Sequence, residues 1–354
     1  MLLLALLLQA SDPATQADAW IRKEMAARSI PGMAVAVVQD GRMIFERAYG
    51  LANVELDVPA TTSTRFIIAS TTKAWAATAI MKLVDQGKIR LDQPVGELVP
   101  GLPPSWQSVP VWRLMSHTSG LPDVMLSPNT GEMLSHDRDS ALMLAGAKPL
   151  DFPVGTEWRY NQTNYTLLGM IVDRAGNTPF MTFILDQIAK PLGLQSPIFG
   201  DQRAVVPGRA SQYSRLALSA TGQPRILDSV RATGQYQYDP WMQMAAGLNT
   251  TAGDLARFGD AVRAGRVIKP ALRDTMWTSI KLADGKVFRF GGTAGMGLGW
   301  QVDDDPAGKV ATMTGGAASG LSVYVDRKLS VAVLTNLQGS WPDQLLEGVA
   351  AFFK

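Results

Sequence analysis

The sequence contains no cysteine and only two histidines, His117 and His136. The absence of cysteine excludes disulfide bonds, a thiol nucleophile and thiolate metal ligands. Having only two imidazoles disfavours a zinc hydrolase, so we expect neither a metal nor another cofactor. A chain without cysteine is compatible with both a periplasmic and a cytoplasmic location.

An excess of charge of one sign is also missing. Lys and Arg number 33 against 31 Asp and Glu, which gives a formal net charge of +2, and the basic residues form no cluster. Because nucleic acids and anionic membranes are bound through clustered positive charge, we expect neither as a partner. The chain has 354 residues, of which 46% are hydrophobic and 18% charged, enough for one large domain or two lobes that share a core.

Long apolar runs are absent apart from the first residues of the chain. Residues 1–10 are almost all Leu or Ala, too few to span a bilayer, and are typical of the apolar part of a secretory signal peptide. We therefore predict a possible signal peptide over residues 1–10, a periplasmic or secreted location and no stable membrane span. No basic residue precedes the run as in most signal peptides, so a cytoplasmic location stays open.

Hydrophobic periodicity predicts strands near both ends of the chain and helices between them. A β-hairpin is predicted around the turn at Asp40-Gly41. The predicted strands are 33–38, 43–49, 297–302, 309–314, 321–325 and 329–334, and the predicted terminal and central helices are 14–28, 70–86 (with Gly87 as C-cap) and 342–353. The region from the central helix to about Phe258 is predicted as mostly helix and loop.

This order predicts an α+β fold. One antiparallel sheet would form from the N- and C-terminal strands, flanked by helices, with a mostly helical lobe inserted between them. We divide residues 14–354 into an α/β lobe, about 14–66 and 258–354, and a helical lobe, about 67–257. A functional site is expected in the cleft between the lobes.

A serine and a lysine occur at helical spacing. Lys73 precedes the apolar or uncharged run 74–81, and Ser70 lies three residues earlier, on the same helical face. Because burying an unpaired ammonium is costly, such a lysine should be hydrogen-bonded, extend to solvent or act as a base. A serine beside a lysine base at a helix start can be a nucleophile. A helix start with a solvent-reaching lysine has the same spacing.

Three further segments accompany Ser70-Thr71-Thr72-Lys73. Tyr160-Asn161-Gln162 lies on a loop just before a predicted buried helix, and residues 114–122 read Leu-Met-Ser-His-Thr-Ser-Gly-Leu-Pro. Met313-Thr314-Gly315-Gly316 ends a predicted strand. With these four ordered motifs the chain resembles the serine β-lactamase and penicillin-binding-protein superfamily, in particular its class C β-lactamase, DD-peptidase and family VIII esterase branch.

The resemblance implies a catalytic set. Ser70 would attack a carbonyl and carry the acyl group, while Lys73 would take its proton or hold the network that does. Tyr160 would act as base or proton shuttle. The backbone N–H groups of Ser70 and Gly316, the latter on an edge strand, would form the oxyanion hole. A core role for Tyr160, and strand roles alone for Thr314 and Gly316, stay open as alternatives.

Two positions of the implied substrate-binding set (Gln162, Met313, Thr314 and Gly315) depart from the family pattern. Gln162 replaces an asparagine, which keeps the amide and lengthens its reach; a role in bracing the loop is the alternative. Met313 replaces the cation or histidine that helps β-lactam-active relatives bind a carboxylate. A thioether cannot do this, so the sequence favours neutral esters or amides.

These residues predict a serine hydrolase that works through a Ser70 acyl-enzyme on ester, amide or β-lactam-like small molecules, and an esterase-like member of the family. A β-lactamase or D-alanyl-D-alanine carboxypeptidase is one alternative, and a catalytically silent relative that binds cell-wall fragments or peptides is another. A Ser-His-Asp site with His117 and Ser119 is disfavoured, because no Gly-x-Ser-x-Gly segment occurs and the residues around His117 resemble a structural turn. His136 is predicted in a solvated loop.

Overall fold

The structure is a computed structural model that describes residues 12–127, 132–218, 224–233, 237–290, 294–305 and 308–354. The predicted signal peptide, residues 1–10, lies outside the described residues. Across these described ranges, no helix has both the length and the apolar character needed to cross a membrane.

In the described ranges, runs of strands near the two ends of the chain flank a middle part that contains most of the helices. The strands are β1 (Gly32–Gln39), β2 (Arg42–Asn53), β3 (Val58–Pro59), β4 (Phe66–Ile67), β5 (Met125–Ser127), β6 (Glu132–Met133), β7 (Ile198–Phe199), β8 (Tyr213–Leu218), β9 (Pro224–Ala232), β10 (Leu248–Thr250), β11 (Gly295–Met296), β12 (Gln301–Asp305), β13 (Gly308–Gly315), β14 (Ser319–Tyr324), β15 (Leu329–Thr335) and β16 (Leu337–Gln338). The helices are α1 (Pro13–Arg28), α2 (Thr72–Asp85), α3 (Val95–Leu98), α4 (Pro104–Gln107), α5 (Val111–Met115), α6 (Arg138–Gly146), α7 (Gln162–Gly176), α8 (Phe180–Ile184), α9 (Gln243–Ala246), α10 (Ala252–Arg263), α11 (Pro270–Met276) and α12 (Pro342–Ala350).

One antiparallel sheet joins the two ends of the chain. Its strand order is β11-β12-β13-β14-β15-β1-β2-β3, so the N-terminal hairpin pairs with the C-terminal strand β15. This confirms the predicted α+β fold with helices around a single large sheet. The division into an α/β lobe and a helical lobe at the stated boundaries stays a prediction.

The central strands are buried on both faces, and each face contacts a different core. Alternate residues of β1 enter the two cores: Ala34 and Ala36 pack with the large helical core, whereas Val35 and Val37 pack against α1 and α12. This explains why the strand is a continuous apolar run without polar alternation. The sheet therefore separates the terminal helices from the helices that surround the candidate site.

Helix α2 crosses the helical core and is buried almost all round. Its Trp75 stacks on Phe258 of α10, with ring centroids 3.8 Å apart. A helix that is largely apolar on every face belongs inside a core, and Lys73 is the one charged side chain among the buried residues of α2. Gly87 follows the helix with φ +69°, the left-handed conformation expected just beyond a helix end.

One sequence expectation about the elements is wrong, and another omits a feature. The region before Phe258 is mostly helix and loop, as predicted, but it also contains the hairpin β8–β9, which pairs with β16. The strand predicted over 297–302 starts at Gln301, because Gly299 adopts φ +78° and its N–H donates to the Met115 carbonyl oxygen. Both features depend on contacts with distant parts of the chain.

Candidate active site

Ser70 lies in a short 3₁₀ turn, Ala69–Thr71, between strand β4 and helix α2. The helix itself begins at Thr72, two residues later than the sequence predicts. Ala69 adopts φ +43°, a conformation that costs energy for a residue with a side chain and that only surrounding packing maintains. The turn leaves Ser70 half-buried, with its hydroxyl at the surface of a cleft.

Lys73 is fully buried directly beneath Ser70. Its Nζ donates to Ser70 Oγ at 3.4 Å, to Gln162 Oε1 at 3.1 Å and to the Ala245 carbonyl oxygen at 2.9 Å. Hydrogen bonds of this kind compensate for the water that a buried ammonium loses. The structure therefore places Lys73 as a hydrogen-bonded lysine and does not show it extending to solvent.

Tyr160 approaches Ser70 from the other side of the cleft. Its phenol oxygen lies 2.7 Å from Ser70 Oγ, and the centroid of its ring lies 4.8 Å from Lys73 Nζ. Tyr160 lies at the end of the loop before helix α7. The next residue, Asn161, caps that helix, because its side-chain oxygen accepts from the Asn164 N–H at 3.1 Å. Tyr160 as a whole residue is 36% exposed, so it is not an enclosed core tyrosine.

Gln162 is the first residue of α7, and its amide oxygen accepts from Lys73. Its backbone N–H donates to Asp123 Oδ1 at 3.2 Å. Burial raises the pKa of Asp123, while its backbone hydrogen bonds and the nearby Lys73 charge act in the opposite direction. The sequence analysis missed Asp123; its signal was a lone carboxylate directly after the Gly120-Leu121-Pro122 turn.

The end of strand β13 borders the 3₁₀ turn Ala69–Thr71, named here the Ser70 turn. An added Cβ at Gly315 would lie 2.3 Å from the Ile68 carbonyl oxygen and 2.7 Å from the Ser70 nitrogen, so only glycine allows this approach. The register of β12 with β13 ends at Thr312, which leaves Met313–Gly315 unpaired with β12.

The expectation that Gly316 lies on an edge strand is wrong for the strand as a whole. Strand β13 lies between β12 and β14, and Gly316 follows its last residue with φ +56°. Only the last part of the strand, beyond its pairing with β12, borders the cleft, because β12 is too short to cover it. Gly316 lines the same cleft as Ser70, as do Met313 and Thr314.

A buried serine on the neighbouring strand fixes the Ser70 turn. Ser319 Oγ donates to the Ile68 carbonyl oxygen at 2.6 Å and lies 2.9 Å from Thr71 Oγ1. Since Ile68 and Thr71 flank Ala69 and Ser70, these contacts attach both ends of the turn to β14. The sequence analysis missed Ser319, because nothing in its local pattern distinguishes it from other strand serines.

The cleft has a volume of about 340 Å³, and uncharged side chains line it. The lining residues are Ser70, Trp158, Tyr160, Phe290, Met296, Gln301, Met313, Thr314, Gly315, Gly316 and Ala317. Trp158 stacks on Phe288 with ring centroids 4.6 Å apart and meets Phe290 edge-on at 4.9 Å. Trp158, Phe288 and Phe290, the aromatic cluster, make one side of the cleft rigid and apolar.

The two histidines lie apart from a Ser-His-Asp arrangement. His117 Nδ1 accepts from the Asn161 N–H at 3.2 Å, and Ser119 Oγ donates instead to Asn164 Oδ1 at 2.6 Å. The side chain of His136 is 85% exposed, as predicted for a solvated loop, and lies 2.8 Å from Asp239 Oδ2. Within the described ranges, no three acidic or histidine side chains converge as metal ligands would.

Taken together, the geometry places a hydroxyl between two proton-accepting or proton-donating groups in a cleft lined by uncharged side chains. A serine within hydrogen-bond reach of a lysine and a phenol is an arrangement that can support nucleophilic catalysis. The backbone nitrogen of Ser70, close to the glycine-rich end of β13, lies where a carbonyl oxygen of a substrate could be bound.

Comparison with known proteins agrees with this geometry. A family model described as Beta-lactamase matches residues 17–352. The chain is similar to esterase EstB from Burkholderia gladioli. The two are 27% identical over an alignment of 359 residues, gaps included, which covers 92% of this chain and 91% of the esterase. It is 25% identical to penicillin-binding protein 4* from Bacillus subtilis (strain 168) over 312 residues, 85% of this chain and 67% of that protein.

Solved structures show the same fold. D-amino acid amidase from Ochrobactrum anthropi SV3, in complex with D-phenylalanine, superposes with a TM-score of 0.79 at 22% sequence identity. The match covers 96% of this chain and 98% of the amidase. A penicillin-binding protein homologue from Pyrococcus abyssi superposes with a TM-score of 0.77 at 24% identity, over 96% of this chain and 77% of that one.

Proposed function

The chain belongs to the beta-lactamase family, and from this premise we propose that it is a serine hydrolase that cleaves neutral esters through an acyl-enzyme on Ser70. The observation that carries the proposal is the position of Ser70 Oγ, 2.7 Å from the Tyr160 phenol oxygen and 3.4 Å from Lys73 Nζ. Both groups lie within or near the distance at which a proton can be transferred in one step.

In the proposed acylation, Ser70 Oγ attacks the ester carbonyl and its proton passes to Tyr160 or Lys73, whichever is in its unprotonated form as phenolate or neutral amine. The backbone N–H groups of Ser70 and Gly316 stabilise the oxyanion, whose collapse expels the alcohol with the transferred proton. Water then attacks the acyl carbonyl and gives a proton to the same group, and collapse of the second oxyanion releases the carboxylic acid and returns the proton to Ser70 Oγ. Gln162, which accepts a hydrogen bond from Lys73, keeps the amine directed at Ser70.

The preference for neutral substrates rests on the lining of the cleft. Met313, buried on the face of β13 that borders the cleft, provides no charge where a substrate carboxylate would bind. None of the described residues that line the cleft is charged, and the aromatic cluster favours an apolar acyl or alcohol group. The similarity to an esterase over nine-tenths of both chains supports the same substrate class.

The test compares two esters of similar size, p-nitrophenyl butyrate and the mono-p-nitrophenyl ester of succinic acid, which differ in one carboxylate. We expect turnover of the butyrate ester to exceed turnover of the succinate ester by at least about 10-fold, since the carboxylate would lose its water without a partner. Ser70→Ala should remove both activities without changing the circular dichroism spectrum. Undiminished turnover by Ser70→Ala would refute Ser70 as the nucleophile.

A second candidate is a β-lactamase or D-alanyl-D-alanine carboxypeptidase, which the similarity to penicillin-binding protein 4* favours. A stable penicillin adduct on Ser70, together with absent ester turnover, would favour it. A catalytically silent relative is disfavoured by Lys73, because a binding protein has no need of a buried amine under a serine hydroxyl. Export through a signal peptide at residues 1–10 stays part of the proposal, to be tested by the N-terminal sequence of the mature protein.

A further inference from the structure

We propose that His117 is a positioning residue that holds the Tyr160 phenol against Ser70 by hydrogen-bonding the backbone on both sides of Tyr160. The inference rests on the proposed function, because it assigns His117 a role through Tyr160. His117 belongs to a turn, residues 116–120, named here the His117 turn, and Tyr160 belongs to the Tyr160 loop, residues 151–161.

His117 accepts hydrogen bonds from the two residues that precede and follow Tyr160 in the sequence. The His117 carbonyl oxygen accepts from the Arg159 N–H at 3.0 Å, and His117 Nδ1 accepts from the Asn161 N–H at 3.2 Å. The ring centroids of His117 and Tyr160 are 4.6 Å apart. One residue therefore fixes the backbone before and after Tyr160 and also contacts its ring.

The imidazole can play this part in only one protonation state. Besides the Asn161 N–H, the amide nitrogen of Asn164 lies 3.2 Å from His117 Nδ1, and Asn164 Oδ1 is occupied by the Ser119 hydroxyl. A nitrogen that accepts from a backbone N–H carries a lone pair, so the proton of the neutral ring resides on Nε2. Burial, and then the charge of Lys73, hold the pKa of His117 well below its ordinary value, which maintains this form.

The rest of the Tyr160 loop is hydrogen-bonded to the His117 turn through backbone groups, and Trp158 of the loop also meets the His117 ring edge-on, with centroids 6.0 Å apart. The Gly155 N–H donates to the Thr118 carbonyl oxygen and the Asp151 N–H to the Gly120 carbonyl oxygen, both at 2.8 Å. Changing the His117 side chain leaves these bonds in place. Substitution should thus loosen the segment around Tyr160 and preserve the fold of the loop.

A double-mutant cycle separates this role from simple core filling. His117→Leu removes the acceptor, whereas His117→Asn keeps an acceptor at the δ position and suits the backbone at φ +58°. We expect His117→Leu to lower kcat/KM for p-nitrophenyl butyrate by about 30-fold, mostly in kcat, and His117→Asn to restore it to within about 5-fold of wild type. In a Tyr160→Phe background, the same His117→Leu change should cost less than about 3-fold.

The two backgrounds share any strain or loss of packing that leucine introduces, so that contribution cancels. An equal loss in both backgrounds would overturn the inference, and so would an undiminished kcat for His117→Leu alone. If Tyr160→Phe is itself fully active, the proposed role of Tyr160 fails and the inference falls with it. If Ser70→Ala retains turnover, the fault lies in the proposed function.

A spectroscopic readout tests the geometry without activity. The chain has only two histidines, so long-range ¹H–¹⁵N correlation spectra of untagged protein yield two imidazole patterns, which His136→Gln assigns. At neutral pH, His117 should show a protonated Nε2 and an unprotonated, hydrogen-bonded Nδ1. A protonated Nδ1, or rapid exchange between tautomers, would overturn the inference whatever the substrate.

Discussion

Replacing Met313 by lysine should raise the activity on esters that carry a carboxylate relative to the activity on neutral esters. Met313 lines the same cleft as Ser70 and lies on the face of β13 that packs on the Ser70 turn. A lysine at this position can therefore extend its ammonium into the cleft. A charge-assisted hydrogen bond to a carboxylate stabilises by about 1.5–3 kcal/mol. Repulsion between the new lysine and Lys73 is the same with either ester, so it does not change the ratio of the two activities.

A stabilisation of about 1.5–3 kcal/mol corresponds to a gain of about 10- to 150-fold in relative preference. The measurement is the ratio of kcat/KM for the succinate mono-ester to kcat/KM for the butyrate ester, in wild type, Met313→Lys and Met313→Gln. The glutamine variant is the matched control, since it has similar length and no charge. High salt should diminish the gain. A ratio that is unchanged, or equally raised by glutamine, would refute the reasoning.

The remaining predictions concern the Ser70 turn and the residues that contact Ser70 or hold Tyr160 against it. Gly315→Ala should lower the free energy of unfolding by about 1–3 kcal/mol in urea titrations and sharply reduce turnover, because its Cβ would lie 2.3 Å from the Ile68 carbonyl oxygen; wild-type values would show that the contact is not close. Lys73→Met should lower kcat by about 10²- to 10⁴-fold but change the free energy of unfolding by less than about 2 kcal/mol, since it also removes a buried ammonium; a larger loss in urea titrations would mean that Lys73 stabilises the fold. Because the pKa of buried His117 lies well below its ordinary 6.5, the unfolded chain binds more protons than the native one just below that pH, so stability should decline as the pH falls through this window. His117→Asn should flatten this decline in urea titrations across the acidic range, and an unchanged slope would contradict the assignment.

The sheet and the central helix could be predicted from the sequence because their signals are local. The apolar run of β1 and the uninterrupted apolar stretch of α2 need no partner to be recognised. The proximity of Ser70 and Lys73 likewise follows from helical spacing alone. That Tyr160 lies near them follows from the family resemblance and not from spacing, because the loop before α7 is placed by contacts with a turn some 40 residues away in the chain.

The features that the sequence analysis missed are determined by tertiary contacts. Hairpin β8–β9 is held by β16, more than a hundred residues later, so its strands carry no strong pattern of their own. Ser319 supports the Ser70 turn only because the fold brings β14 next to Ile68, which is distant in the sequence. The aromatic cluster also joins distant segments, since Trp158 meets Phe288 and Phe290, some 130 residues later, on one side of the cleft.

The central claim is that Ser70 carries the acyl group, and the mass of the intact protein during turnover tests it most directly. Protein quenched in acid after brief mixing with p-nitrophenyl butyrate should show one added butyryl group, located on the peptide that contains Ser70. Ser70→Ala, folded as judged by circular dichroism, should show none. An adduct that persists in Ser70→Ala, or one that maps to another residue, would contradict the account.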